Sequence, residues 1–329
     1  MSKRKEDKKR KKVKSLVLLL VLTIIMFSTA TYAWFTANQT VTVSTLDVHV
    51  EASNGLQIST NASEWKTVIT NADITAGYAG AKNMVPATLN AVSTDGTVSE
   101  SELNMYKGVV GSDAQTGEYT ITAAKSPAKA GSTGDYIAFD MFLRVDQAQT
   151  IYLTTSSNVI AKEGTEDKGL KNAARVGFVT LGNASSETAA GTLQALNTPA
   201  ATAIIWEPNA DTHTARGNAS AIEYGITVDD KTNRTGYFGL KQEIANPTKL
   251  KDAMNGTDTT NTAEVTPSVV TPENYTGTYQ QVVRLEAGVT KIRVYMWVEG
   301  QDVDCENNAS GTDISYNVQL STQSSAAGN

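Results

Sequence analysis

One cysteine, two histidines and seven prolines in 329 residues close off several routes at once. With Cys305 alone, no disulfide can form within the chain, so stability has to come from packing. His49 and His213 lie outside any His-Glu-x-x-His arrangement and near no cysteine pair, which leaves little from which to build a zinc hydrolase or a Ser-His-Asp triad. His49 stands between Asp47 and Glu51 on the polar side of an alternating stretch, the place of a solvated strand histidine. A Gly-x-Ser-x-Gly elbow, a phosphate loop and a dinucleotide fingerprint are also missing. The chain reads as non-enzymatic, with no cofactor required.

Positive charge is scarce outside the first residues. Nine of the 28 Lys and Arg and two of the 34 acids fall in residues 1–14, leaving 19 basic against 32 acidic groups, a net of −13, in the rest. An acidic body repels nucleic acid, so no nucleic-acid partner is expected. The basic run instead precedes Leu16–Phe27, an unbroken apolar stretch but for Thr23, and then Thr31-Tyr-Ala33-Trp34. That is the charged, apolar and small-residue order of an export signal, with Thr31 and Ala33 at the −3 and −1 positions of a cut before Trp34. The same stretch, extended to Phe35, is about 20 residues and also long enough for an N-terminal transmembrane helix, with the lysines held inside. Residues 1–33 are therefore a signal peptide or a membrane anchor, and 34–329 an exported domain, extracellular or at the cell surface. No Leu-Pro-x-Thr-Gly signal and no apolar tail occur at the end, so any attachment is expected at the N-terminus.

Helical periodicity is weak, and what is abundant is alternation. Ile137, Phe139, Met141, Leu143 and Val145 share one face of a strand; Ile292, Val294, Met296 and Val298 share another, with Arg293, Tyr295 and Trp297 opposite, as in a central strand covered on both sides. Ile314, Tyr316, Val318 and Leu320 alternate in a closing strand. In 41–51, Val41 and Val43 are out of phase with Leu46, Val48 and Val50, which predicts a bulge or a change of partner near Ser44-Thr45. Polar segments 93–117, 185–201 and 255–275 read as surface insertions. The fold expected is mainly β: an antiparallel two-sheet sandwich of jelly-roll type with loop insertions.

Two places carry candidate chemistry. Glu299, Asp302, Asp304 and Glu306 crowd a turn between the last two strands; they could hold calcium, or form a solvated acidic turn. Trp34 and Phe35, followed by Val41 and Val43, would open the processed chain as an aromatic-tipped, β-prone segment, 34–43, able to serve as an assembly strand without being needed by its own fold.

The string Thr31-Tyr-Ala-Trp-Phe-Thr-Ala-Asn38, followed by Ser44-Thr-Leu-Asp-Val-His-Val50, resembles the TasA/camelysin group of Gram-positive exported proteins, and Tyr295–Cys305 with Ile314–Leu320 resembles the end of clostridial proteins carrying this type of leader. The resemblance implies processing by a SipW-type signal peptidase, a jelly-roll subunit, and self-association into extracellular biofilm-matrix fibres in which an N-terminal segment completes a neighbour. Two other readings stand beside it: a membrane-anchored adhesin or binding module, and a camelysin-like secreted metallopeptidase, for which no metal motif is present.

Protein recovered from the medium of the producing cell should begin at Trp34 or within a few residues of it, as N-terminal sequencing would read. Protein confined to membranes with Ser2 or Lys3 still attached would instead establish the anchor.

Overall fold

The computed structural model describes Lys14, Trp34 and residues 41–50, 55–209, 212–226, 238–265, 269–270, 280–306, 309 and 311–324. The leader expected at 1–33 lies, apart from Lys14, outside them, as do Thr31, Ala33 and Phe35. Among the described residues no helix is long and apolar enough to cross a membrane.

Alternation builds two seven-stranded sheets. The strand Gly288–Glu299 pairs antiparallel with Ile137–Val145 on one side and Ala174–Ala184 on the other, and all of its residues are buried. Its even-numbered side chains Ile292, Val294, Met296 and Val298 join Phe139 and Val176, and meet Val48, Ile314, Tyr316 and Val318 of the other sheet in one apolar core. Tyr295 and Trp297 point the opposite way, into a second core with Tyr136, Val179, Leu103 and Ile205. A strand covered on both faces has no polar side to show, as its sequence predicts.

In the other sheet the opening strand Val41–Val50 lies beside the closing strand Asp313–Ser321, and the two run parallel. An all-antiparallel sandwich is the expectation this corrects. Chain neighbours joined by a tight turn must run antiparallel, but the first and last strands share no turn and are free of that constraint. The register slips between Val43 and Thr45, where the phase of the sequence breaks. The partner on the far side changes there too: Val41 and Thr42 pair with Leu89 and Thr88, whereas Asp47, Val48 and His49 pair with Thr70, Ile69 and Val68. The bulge lets one strand serve two neighbours.

The segment 93–117 is more than an insertion. Tyr106–Ser112 pairs with Tyr119–Lys125, which in turn pairs with Ile244–Lys249, and this small sheet carries Tyr106, Ile121, Ala123 and Ile244 into the main core. Glycines and polar residues at Gly108, Gly111 and Ser112 hide the strand pattern of its first member. A ten-residue helix, Ala215–Tyr224, was also not expected; its signals are the capping Thr214 and Gly225, which ends it with φ of 75°.

Over the outer face of the central strand lies a buried ion cluster. Asp140 accepts from Arg293 Nε at 2.8 Å and Nη2 at 2.7 Å and from the Tyr78 hydroxyl at 2.5 Å, with Lys291 Nζ 3.3 Å away. Lys291 also donates to the carbonyls of Gln194 and Leu196, from the segment 185–201 laid across it. Removing Asp140 would leave two cations without their counter-charge in a dry site. Asp140→Ala is expected to cost roughly 3–5 kcal/mol in urea unfolding, whereas Lys66→Ala, at the exposed pair with Asp73, should leave the unfolding midpoint nearly unchanged.

Candidate functional site

The acidic turn that follows the central strand is buried, not solvated: Glu299, Gln301, Asp302, Asp304 and Glu306 all lie inside, and so does Cys305. Each carboxylate has a different task. Asp304 Oδ1 accepts the Thr214 hydroxyl at 2.6 Å and its N–H at 3.1 Å, while Oδ2 takes Asn172 Nδ2 at 2.9 Å and His213 Nδ1 at 3.0 Å. Thr214 caps the helix Ala215–Tyr224, accepting from the Gly217 N–H at 2.9 Å, so Asp304 ties that helix by its positive end to the turn. A Cβ on Gly217 would run into the Asp304 carboxylate, so glycine here is what lets the first helical turn sit so close. Asp302 Oδ1 accepts the Asp304 N–H at 2.8 Å and Oδ2 accepts Arg175 Nη2 at 2.7 Å, with Glu207 paired to the same guanidinium. Glu306 pairs with Arg216.

The four acids proposed for calcium therefore do not converge. Glu299 turns back along its strand, accepting from Trp297 Nε1 at 3.0 Å and the Gln301 N–H at 3.1 Å. Among the described residues the group that does converge is His213, Asp302 and Asp304, whose ligand atoms lie within 4.8 Å of one another. Their capacity is already spent, since Asp304 is met by side-chain and backbone donors on both oxygens and Asp302 by a guanidinium. Burial pushes His213 toward its neutral form, but the hydrogen bond to Asp304 and the charges of Asp302, Asp304 and Glu207 prevail and raise it to about 9. A cation would have to displace a protonated imidazole and Arg175, so this donor set fits a tether better than a metal site. His49 sits on the opening strand, half-buried, opposite Gln319 and Val68. Asp229 and Asp230, a weaker acidic pair in the sequence, lie outside the described residues.

The same turn makes a seat for Trp34. The indole is fully buried, and its Nε1 donates to Gln301 Oε1 at 3.2 Å. Its six-membered ring lies close to two glycines: a Cβ added at Gly108 would come within 2.7 Å of the ring, and one at Gly300 closer still. Both glycines are required by close approach rather than by their own backbone angles. Gln301 is fixed at both ends, by its Nε2 donating to the Ala253 carbonyl at 3.2 Å and by its N–H on Glu299. Trp34 itself has φ of 75°, a conformation that costs a non-glycine residue of order 1 kcal/mol and is held by the seat. The expectation that the fold can do without 34–43 does not survive this placement, because Trp34 and Val41 are core residues of their own chain and Val43 packs against that core.

Sequence reasoning placed Trp34 and the acidic turn among the residues of interest but missed Gly108, Gly300 and Gln301 as their partners. Contacts between residues so far apart in the chain leave no local periodicity to read.

Burial lifts the Glu299 carboxyl to about 7; burial likewise lifts Glu306 to about 7, helped by Asp304 and opposed by Arg216. In all three shifted groups, His213 included, the folded chain keeps protons that the unfolded chain releases at lower pH. The stability they contribute is thus greatest in mild acid, falls as pH rises toward 7 through the two glutamates, and falls again through about 9 with His213. The opposite limb belongs to carboxylates such as Asp113, held low by the N–H groups of Thr116 and Gln115, whose contribution is lost as pH falls into the acid range. Urea unfolding is expected to show its greatest stability in mild acid and a loss of several kcal/mol by pH 8. Glu299→Gln should remove about half of that slope, and an unchanged slope would refute the assignment.

No family model, no curated protein and no solved structure matches this chain.

Proposed function

We propose that this chain is a non-enzymatic exported protein of a Gram-positive cell surface or biofilm matrix, a jelly-roll sandwich whose copies join by exchanging their N-terminal segments. The observation that carries this reading is where the opening strand lies. Val41–Val50 fills an interior position of its sheet, flanked by the closing strand on one side and by Val68–Thr70 and Thr88–Leu89 on the other. Ahead of it, Trp34 occupies a separate, fitted seat. A strand and an anchor residue inserted from one end of a chain can be supplied equally well by a second chain, because the hydrogen bonds and contacts are the same. The leader and the opening strand, which resemble those of the TasA/camelysin group, support the same reading. The bulge at Val43–Thr45 divides the insert into two stretches with different partners, a natural place for the exchange to begin.

The peptidase alternative draws no support from the donor set of His213, Asp302 and Asp304, which is committed to Arg175 and to the cap of the helix Ala215–Tyr224. Its natural occupants are protein groups.

Processed protein beginning at Trp34 should form higher-order species whose fraction rises with concentration and with time near the unfolding midpoint, read by light scattering and electron microscopy. Trp34→Ala, compared with the parent at a temperature where circular dichroism reports both chains folded, should weaken assembly at least tenfold. A parent that stays monomeric throughout, or a Trp34→Ala chain that assembles as readily as the parent, would remove the basis of the proposal.

A further inference from the structure

The geometry points to an indole lock: Gly108, Gly300 and Gln301 admit tryptophan at position 34 and reject other side chains, so that a second copy of this chain is accepted only through a segment bearing tryptophan there. For its partner the lock rests on the strand-exchange reading; its chemistry is complete within one chain.

Three features of the seat argue for selection rather than mere burial. Where Gly108 and Gly300 approach its six-membered ring the wall is glycine backbone, which cannot retreat or refold around a different shape as flexible side chains could. Its single polar contact reads the one group that separates indole from the other large apolar side chains, the ring N–H, through Gln301 Oε1 at 3.2 Å. The reader is itself immobilised: Gln301 Nε2 is engaged by Ala253 and its backbone N–H by the wholly buried Glu299, so the carbonyl end cannot swing away to find another donor. A phenylalanine in this seat would leave Oε1 buried and unmet and part of the slot empty. Sites that hold a buried partner for a hydrogen-bonding group discriminate strongly against analogues that lack the group, because the orphaned partner is destabilised along with the lost contact. Leucine or alanine would add a larger void to the same defect.

Two measurements decide the matter. In the first, the processed full-length chain is allowed to assemble in the presence of a synthetic peptide spanning residues 34–43, Trp-Phe-Thr-Ala-Asn-Gln-Thr-Val-Thr-Val, or of the same peptide with phenylalanine in first place. The tryptophan peptide should inhibit at concentrations at least tenfold lower, and the preference should shrink to less than threefold on the Gln301→Leu chain. Equal potency of the two peptides, with assembly proceeding normally in their absence, overturns the lock and leaves strand exchange standing. The second needs no assembly: urea unfolding of Trp34→Phe, Gln301→Leu and the double variant as single chains. The lock predicts that the double variant loses clearly less than the two single losses combined, because Gln301→Leu removes the orphaned acceptor; additive losses overturn it. If the parent never assembles, strand exchange falls and this cycle alone decides the lock. Should Trp34→Phe unfold too readily to titrate, the peptide preference, measured on the natural chain, remains decisive.

Discussion

The strand Gly288–Glu299 carries Lys291 and Arg293 into the interior, and what is laid over its outer face answers to those charges. A buried ion without a counterpart is too costly for a marginally stable domain, so each must be met by a group brought from elsewhere in the chain. Arg293 and Lys291 are met by Asp140 from the neighbouring strand and Lys291 also by carbonyls of the segment 185–201, while Glu299, which keeps its proton near neutrality, is held locally by Trp297 and the turn that follows. The apolar residues of the same strand could pack in many ways. The charged ones restrict which segments can cover them, and so convert a generic sandwich into one arrangement.

That arrangement brings the site together. The turn after Glu299 holds the cap of the helix Ala215–Tyr224 through Asp304 and the guanidinium of Arg175 through Asp302, and it presents Gly300 and Gln301 to Trp34. Residues from the beginning, the middle and the end of the chain meet around eight consecutive positions. The acidic run is thus a junction: its carboxylates are the shared partners that let several elements end at one place, and two of them keep protons near neutrality because water cannot reach them.

Much of the frame was legible in the sequence, because period-two alternation is a local signal. The phase break at Ser44-Thr45 gave the bulge and the change of partner, and the two apolar faces around Tyr295 gave the central strand. What local pattern could not convey is direction and company. Nothing in Val41–Val50 says that it runs parallel to its neighbour, and nothing in the run from Glu299 to Glu306 says that Arg175, His213 and Arg216 will surround it. The strand Tyr106–Ser112 was hidden for a related reason: Gly108, which weakens the strand pattern, is there to let an indole approach.

The parallel contact between Val41–Val50 and Asp313–Ser321 also sets an order of events. A pairing between the first and last strands is the most non-local contact a chain can make, and it cannot form until the final segment has been delivered and its loop-closure entropy overcome. Until then the partners of the opening strand among the described residues are the short strands Val68–Thr70 and Thr88–Leu89, and its other edge stands open. The sheet that holds Val41–Val50 is therefore completed by its closing strand, Asp313–Ser321, and the register between the two is set last.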